Sequence, residues 1–224
     1  MHQSEAVDSR VKAACLTGGM PHSIGDVIAR HAASEPNRSA LVGTTFSAFS
    51  FRELDSWIKQ IGLQLRAAGI GPHSRVGIML PRGPEAAMLA VAVASHAISV
   101  SLSPNRPNVE IEQSFARLRL DALVLPNWVD FPASAVARKS TFGLMEASPA
   151  ARSLGTIGLQ HVREAPKAHQ TNINADSVAV IFTTSGTTGT PKLVPVTLDN
   201  LLAMAEKMQR IWFDLSTEER TAFM

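Results

Sequence analysis

Cysteine is nearly absent from the chain, and this limits what can hold the fold together. Cys15 is the single cysteine among 224 residues, so no disulfide can form within the chain. A chain without disulfides fits a reducing compartment, and we expect a cytoplasmic protein. Cys15 has no histidine patterned near it, so we interpret it as an incidental thiol.

Long apolar runs and clusters of basic residues are missing as well. The longest apolar stretch, residues 86–100, contains Ser95 and His96 and is shorter than the roughly 20 residues that a membrane helix needs. No apolar run follows the charged first residues, so we expect no secretory signal. Lysine and arginine are scattered and the net charge is only +2, which argues against nucleic acid as the main partner.

The composition is that of a globular protein. Apolar residues make up 45% of the chain and charged residues 18%, so a chain of this length can bury a core. The length suffices for one large domain or two small ones. Residues 1–22 show no periodicity and are expected to be a flexible lead, ahead of a single folded segment over residues 23–224.

Two helices near the start are predicted from their capping residues and apolar spacing. Ser23 is a suitable N-cap for a helix over residues 24–34, which a short strand over 40–42 should follow. Ser50 and Glu53 match a capping box ahead of a second helix. The apolar residues of that helix recur at steps of three and four and should lie on a sheet: Phe51, Leu54, Ile58, Ile61 and Leu65.

Alternating strands and helices predict the fold class. A strand over 75–80, a helix over 83–95 and a strand over 98–102 form a βαβ unit with parallel strands. A helix that Asn108 can cap and a strand over 122–125 repeat the pattern. We therefore predict an α/β fold with a parallel or mostly parallel sheet flanked by helices.

Residues 126–175 give a weaker signal. Short strands are expected over 142–145 and 157–162, and residues 165–175 are typical of a polar connection. A β-branched run over 177–182 follows and predicts a buried strand of the same sheet.

The most informative segment is a polar loop between this strand and a second one over 193–196. Gly186 and Gly189 allow positive φ and close approach of the backbone to a ligand, and consecutive N–H groups in such a turn form an anion-binding concavity. Lys192 supplies a positive charge. The hydroxyl-bearing residues add donors suited to phosphate oxygens: Thr184, Ser185, Thr187, Thr188 and Thr190. The loop is therefore predicted to hold a polyphosphate.

Two other interpretations compete with this one. An ordinary hairpin turn rich in Ser, Thr and Gly is possible, but such a turn rarely needs five hydroxyls, two glycines and a lysine. A Walker-type P-loop requires Gly-Lys followed by Ser or Thr and then a helix. Here Lys192 follows Pro191 and precedes Leu193 and a strand, so both spacing and context disfavour a Walker loop.

Residues 184–192, Thr-Ser-Gly-Thr-Thr-Gly-Thr-Pro-Lys, resemble the signature loop of the adenylate-forming superfamily. That family includes acyl-CoA synthetases, the adenylation domains of nonribosomal peptide synthetases, and luciferases. The resemblance extends over residues 24–214, and it identifies 23–224 as the N-terminal portion of an AMP-binding domain. Residues 51–54 resemble the family's early helix, and residues 76–81 with 83–85 resemble its first strand and the next helix. Residues 101–104 resemble the segment after its second strand.

The resemblance implies a reaction and its cofactors. A carboxylic acid is activated by ATP as an acyl-adenylate, and the acyl group then passes to coenzyme A or to a phosphopantetheine arm. The loop would hold the β- and γ-phosphates, and Thr184 would help to coordinate Mg²⁺. Leu193 and Pro195 favour an acyl-CoA synthetase over a peptide-synthetase domain. The remainder of the enzyme or a carrier protein is an expected partner.

The chain also departs from the family pattern. Leu198 stands where the family often has a histidine after the loop, and His96-Ala97 replaces a small Gly-Ala pair. We interpret His96 as a satisfied, partly buried residue. Neither the other histidines nor their neighbours show the spacing of metal ligands.

Motifs that follow the loop in the family, including those for adenine, ribose and the catalytic lysine, do not occur in these 224 residues. We therefore expect no catalytic residue here, and an isolated fragment that is inactive. The alternative is a non-catalytic paralogue that serves as a binding or interaction module. The helix predicted from Thr197 onward, with an apolar stripe reaching Trp212, is expected to expose apolar surface.

Overall fold

The computed structural model describes residues 21, 23–42, 48–149, 157–165, 178–184 and 192–212. Within them the helices are α1 Ile24–Ser34, α2 Phe51–Ala67, α3 Pro84–Ala94, α4 Asn108–Leu118, α5 Pro132–Lys139 and α6 Leu198–Trp212. The strands are β1 Ser39–Leu41, β2 Phe49–Ser50, β3 Arg75–Ile78, β4 Ile98–Ser101, β5 Ala122–Pro126, β6 Gly143–Pro149, β7 Ile157–Arg163, β8 Val178–Thr184 and β9 Lys192–Thr197.

Seven of these strands form one sheet in the order β7-β6-β5-β3-β4-β8-β9. The five central strands are parallel, as the sequence predicts, while β7 and β9 run antiparallel at the two edges. β1 and β2 pair separately in a small antiparallel sheet. The α/β fold with a mostly parallel sheet is therefore confirmed.

Helices cover both faces of the sheet because successive residues of the central strands point to opposite sides. In β5, Ala122 and Val124 belong to the core shared with α1, α2 and α3. Leu123 and Leu125 belong to a second core, shared with α4 and α5. Strands buried on both faces are nearly continuous apolar runs, and each of the five residues of β5 is buried.

The predicted helix starts are confirmed, with one correction. The Ser23 hydroxyl accepts a hydrogen bond from the Asp26 N–H, at 3.1 Å. Ser50 and Glu53 form both bonds of the capping box, with the Ser50 N–H donating to Glu53 Oε2 at 2.8 Å. The prediction that Asn108 caps α4 is wrong: Asn108 is the first helical residue and Pro107 takes the N-cap position, without a side-chain cap.

Two elements were not predicted. α5 has only eight residues, and two of the side chains on its buried face are alanines, Ala133 and Ala137, which carry little apolar signal. β2 has two residues, too few to show a period. β6 and β7 were predicted, although β6 runs on to Pro149. No helix in the described part of the chain is long and apolar enough to span a bilayer.

Candidate functional site

The predicted polyphosphate loop joins two strands that pair directly. β8 and β9 are antiparallel, and the last pair of their register is Thr184 with Lys192. Ser185, Gly186, Thr187, Thr188, Gly189 and Thr190 lie outside the described residues, together with Pro191. The two described site residues therefore stand opposite each other where the loop leaves the sheet.

The hairpin register decides which way these side chains face. Residues that pair directly across antiparallel strands project from the same face, with Cβ atoms about 4.5–5.5 Å apart. Thr184 and Lys192 are both exposed on that face. The preceding pair, Thr183 and Leu193, projects to the α4 side, where Leu193 packs against the second core. Thr184 and Lys192 can thus act on one ligand.

This end of β8 lies at the carboxyl edge of the parallel strands. In open α/β sheets, ligands bind outside the carboxyl ends of the strands, where successive connections pass to opposite faces. Here α3 follows β3 and packs in the first core, whereas α4 follows β4 and packs in the second. The switch point therefore lies between β3 and β4, and β8 is the other neighbour of β4.

A small cleft of about 10 Å³, room for about one water molecule, lies at this switch point. We name it the α4 cleft; its polar lining comes from Ser103, Arg106, Ser114 and Thr183, and its apolar wall includes Met79 and Phe115. No local pattern in the sequence predicts this cleft. The sequence feature that could have pointed to the cleft is the polar and basic segment that directly follows the buried strand β4.

Arg106 is the one cation among the described residues that line the α4 cleft, and its side chain makes only a long contact with Glu110. Its side chain is 30% exposed, and its Nη1 lies 3.8 Å from Glu110 Oε2. That separation is too long for a hydrogen bond. The hydroxyl of Ser114, on the next turn of α4, donates to the Glu110 carbonyl oxygen at 2.7 Å.

Leu198, at the position where the family often has a histidine, is a core residue. It is buried at the start of α6, which directly follows β9. Lys192 is at the other end of this strand. At about 3.3 Å per residue, the six residues of β9 separate Leu198 from Lys192 by roughly 20 Å. Thr197 and Asn200 cap α6 reciprocally, with N–H to oxygen distances of 3.3 and 3.1 Å. This segment therefore starts a helix at the end of β9 that is far from Lys192.

His96 also has a structural role. It is half-buried, and its Nε2 lies 3.0 Å from the carbonyl oxygen of Ile58 in α2. A Cβ on Gly62 would lie 2.4 Å from the same nitrogen, so the glycine makes room for the ring. Burial lowers the pKa of His96, and the charge of Arg66 lowers it further. No group of three or more His, Cys, Asp or Glu residues that could hold a metal occurs in the described part of the chain.

Comparisons with known proteins agree with the fold and identify the family. The family model described as AMP-binding enzyme matches residues 28–224. Chondramide synthase cmdD of Chondromyces crocatus is 30% identical over 190 residues, which are 79% of this chain and 4% of that protein. Sulfoacetate–CoA ligase of Cupriavidus necator is 28% identical over 196 residues, which are 84% of this chain and 37% of that protein.

Solved structures show the same fold. The structure of VinN with L-aspartate matches with a TM-score of 0.61 and 17% identity, over 85% of this chain and 52% of that one. Apo MatB from Rhodopseudomonas palustris matches with a TM-score of 0.60 and 20% identity, over 80% of this chain and 35% of that one. The chain thus spans about half or less of these relatives. By its match to the family model over most of its length, the chain belongs to the AMP-binding family of adenylate-forming enzymes.

Proposed function

We propose that this chain supplies the polyphosphate-binding part of an enzyme that uses ATP to activate a carboxylic acid. The observation that carries the proposal is the register of the β8–β9 hairpin. It pairs Thr184 and Lys192, both exposed, across the hairpin at the carboxyl edge of the sheet. A hydroxyl and a cation that face solvent together at a ligand-binding edge fit a phosphate group.

The residues that would hold the phosphates are those of the loop and its two ends. Lys192 would act as a point charge and the loop's N–H groups and hydroxyls as hydrogen-bond donors. The full proposed set is Thr184, Ser185, Gly186, Thr187, Thr188, Gly189, Thr190 and Lys192. Six of these eight lie outside the described residues, so their part in the proposal rests on the motif.

Thr184 is also the proposed metal contact. A threonine hydroxyl is an oxygen ligand of the kind that Mg²⁺ accepts alongside phosphate oxygens. Mg²⁺ would neutralise charge on the phosphates and orient them. Thr184 is exposed at the end of β8.

The proposed reaction has two steps. A carboxylate oxygen attacks the α-phosphorus of ATP; an O–P bond forms, and the bond to the bridging oxygen breaks as pyrophosphate leaves with the electron pair. A thiolate then attacks the acyl carbonyl, and AMP leaves. Positioning of the reactants and stabilisation of charge on the leaving group are the protein's tasks in the first step.

The acyl acceptor is proposed to be a thiol, either coenzyme A or a phosphopantetheine arm. A probable nonribosomal peptide synthetase and a CoA ligase both occur among the relatives, which supports a thiol of either kind. We further propose residues 23–224 as the N-terminal portion of the AMP-binding domain, acting together with further polypeptide. The lead expected over residues 1–22 lies, except for Pro21, outside the described residues. The isolated chain is proposed to be inactive in adenylation and the full enzyme to work in the cytoplasm.

The test is calorimetric binding of ATP, pyrophosphate and AMP to wild type and to the Lys192→Ala variant. Lys207→Ala is the matched control, because Lys207 is an exposed lysine on α6. The proposal expects affinity for ATP and pyrophosphate that depends on Lys192 and not on Lys207. Acid-dependent exchange of labelled pyrophosphate into ATP by the full-length protein then distinguishes an enzyme from a module that only binds nucleotide.

A further inference from the structure

The strands β4 and β8 stop pairing before β8 ends. The last pair of their parallel register is Val100 with Ile181. β8 continues to Thr184, and in the described part of the chain its last residues pair with β9 alone. The end of the hairpin that carries Thr184 and Lys192 therefore extends past its pairing with β4.

The α4 cleft lies where these two strands part. Thr183 belongs to β8, whereas Ser103 and Arg106 belong to the segment between β4 and α4, and all three line the cleft. Its volume of about 10 Å³ is enough for one water molecule. A cavity of this size holds water only when two to four polar groups face it, since apolar cavities stay dry.

The polar groups of the α4 cleft match the two donors and two acceptor sites of one water. The guanidinium of Arg106 can only donate, and its Nη1 lies 3.8 Å from Glu110 Oε2, too far to be used there. The Ser114 hydroxyl donates to the Glu110 carbonyl oxygen at 2.7 Å, so its oxygen remains as an acceptor. The hydroxyls of Thr183 and Ser103 can donate or accept.

We propose that the α4 cleft binds one water molecule and that Thr183, through this water, is a positioning residue for the polyphosphate loop. A water-mediated hydrogen bond is enthalpically nearly as good as a direct one. The water would join β8 to the segment after β4 at the point where the strands no longer pair.

The position of Thr183 in the hairpin explains how it would act on the loop. Thr183 immediately precedes Thr184 in β8. It pairs with Leu193, the neighbour of Lys192 in β9. Holding Thr183 in place therefore restrains both described ends of the loop. The inference rests on the proposed function, because a phosphate bound by the loop is what this restraint would serve.

The water is tested by a crystal structure of the full-length protein at a resolution that shows ordered solvent. We expect one ordered water within about 2.7–3.2 Å of Thr183 Oγ1 and of a polar atom of Arg106 or Ser103. Thr183→Val should lose this water and Thr183→Ser should keep it. A wild-type cleft without ordered water, or a water that stays in place in Thr183→Val, overturns the proposal.

The positioning role is tested by amide hydrogen exchange over residues 182–184 and 192–194 and by calorimetric binding of pyrophosphate. Thr183→Val keeps the β-branched shape and removes the hydroxyl. We expect faster exchange and a three- to tenfold loss of pyrophosphate affinity, about the size of one hydrogen bond. Thr183→Ser is the matched control and should restore both.

Two outcomes contradict the positioning role: wild-type exchange and affinity in Thr183→Val, or the same losses in Thr183→Ser. Failure of the proposed function looks different, because wild type would then bind no pyrophosphate. The ordered water and the exchange rates would still decide whether Thr183 holds the end of the hairpin.

Discussion

Trp57 in α2 donates its indole N–H to the carbonyl oxygen of Ile157 in β7, at 2.9 Å, across a separation of 100 residues. Two turns along the same helix, the Gln64 side chain accepts a hydrogen bond from the Leu159 N–H at 3.0 Å. β7 is an edge strand, and exposed backbone groups at an edge invite pairing with other chains. α2 therefore both covers the sheet and occupies part of its open edge.

Replacing Trp57 with Phe tests this contact. The ring still fills much of the buried space, but the Ile157 carbonyl oxygen loses its donor. Leaving a buried acceptor unpaired costs about 1–3 kcal/mol, and we expect urea denaturation to show a loss of that size. Phe49→Leu, a conservative change at another buried aromatic residue, is the control: it measures the stability cost of a smaller side chain alone. A Trp57→Phe variant as stable as wild type would mean that water replaces the indole.

The Gly62–His96 contact gives a second prediction. Gly62→Ala places a methyl group 2.4 Å from the His96 ring, so the ring must move and its bond to Ile58 must lengthen. We expect a loss of about 1–3 kcal/mol, as is typical for overpacking. The double variant Gly62→Ala, His96→Gly should recover much of this loss, because the clash is removed. If the stability losses of the two single variants simply add in the double variant, the two residues do not interact and the prediction is wrong.

Stability should fall in mild acid because of His96. Burial and Arg66 lower the pKa of His96 in the folded protein below its ordinary value of 6.5, so the unfolded chain binds more protons as pH falls through that value. Stability is then highest above pH 6.5 and decreases below it. His31, whose pKa is lowered by burial and by Arg38, acts in the same direction.

The measurement is the free energy of unfolding at pH 8 and pH 5.5, for wild type and for His96→Gln. We expect a smaller difference between the two pH values in the variant, and a still smaller one when His31→Gln is added. Equal pH dependence in all three proteins would show that neither imidazole is desolvated.

The most exposed apolar pair of the hairpin predicts self-association. Phe182 is 47% exposed and Val194 is 40% exposed, and they stand opposite each other on β8 and β9. Phe182→Thr should reduce binding of a hydrophobic dye and the mass seen by light scattering, without loss of stability, because the side chain contributes little to the core. Met204→Gln, on the exposed side of α6, is the control for a single exposed residue. Unchanged dye binding in Phe182→Thr would contradict an exposed hairpin face.

The central sheet could be predicted from the sequence because most of its strands are short β-branched or apolar runs that alternate with helical segments. The capping boxes and the βαβ spacing depend on neighbouring residues, which the sequence shows directly. The Trp57–Ile157 and Gly62–His96 contacts depend on packing between distant segments, which no local pattern reveals. The same holds for α5, whose buried alanines leave a weak periodicity.

The candidate site divides in the same way. The loop motif could be recognised in the sequence because its residues are consecutive. The structure adds the pairing of Thr184 with Lys192. The α4 cleft collects Met79, Arg106 and Thr183 from three separate segments, so only the fold brings them together. The expectation that α6 is the main exposed apolar patch is met only in part: Met204 is exposed, but Leu198 is buried, and the side chains of Met208 and Trp212 lie outside the described residues.

The most direct test of the proposed polyphosphate site is the affinity for pyrophosphate of wild type, Lys192→Ala and Lys207→Ala. Removing a charge-assisted contact of about 1.5–3 kcal/mol should weaken binding to Lys192→Ala about ten- to a hundredfold. The melting temperature should hardly change, because Lys192 is exposed. Lys207→Ala should match wild type in both measurements. Equal pyrophosphate affinity in all three proteins would contradict a phosphate-binding role for Lys192 and favour an ordinary solvated hairpin.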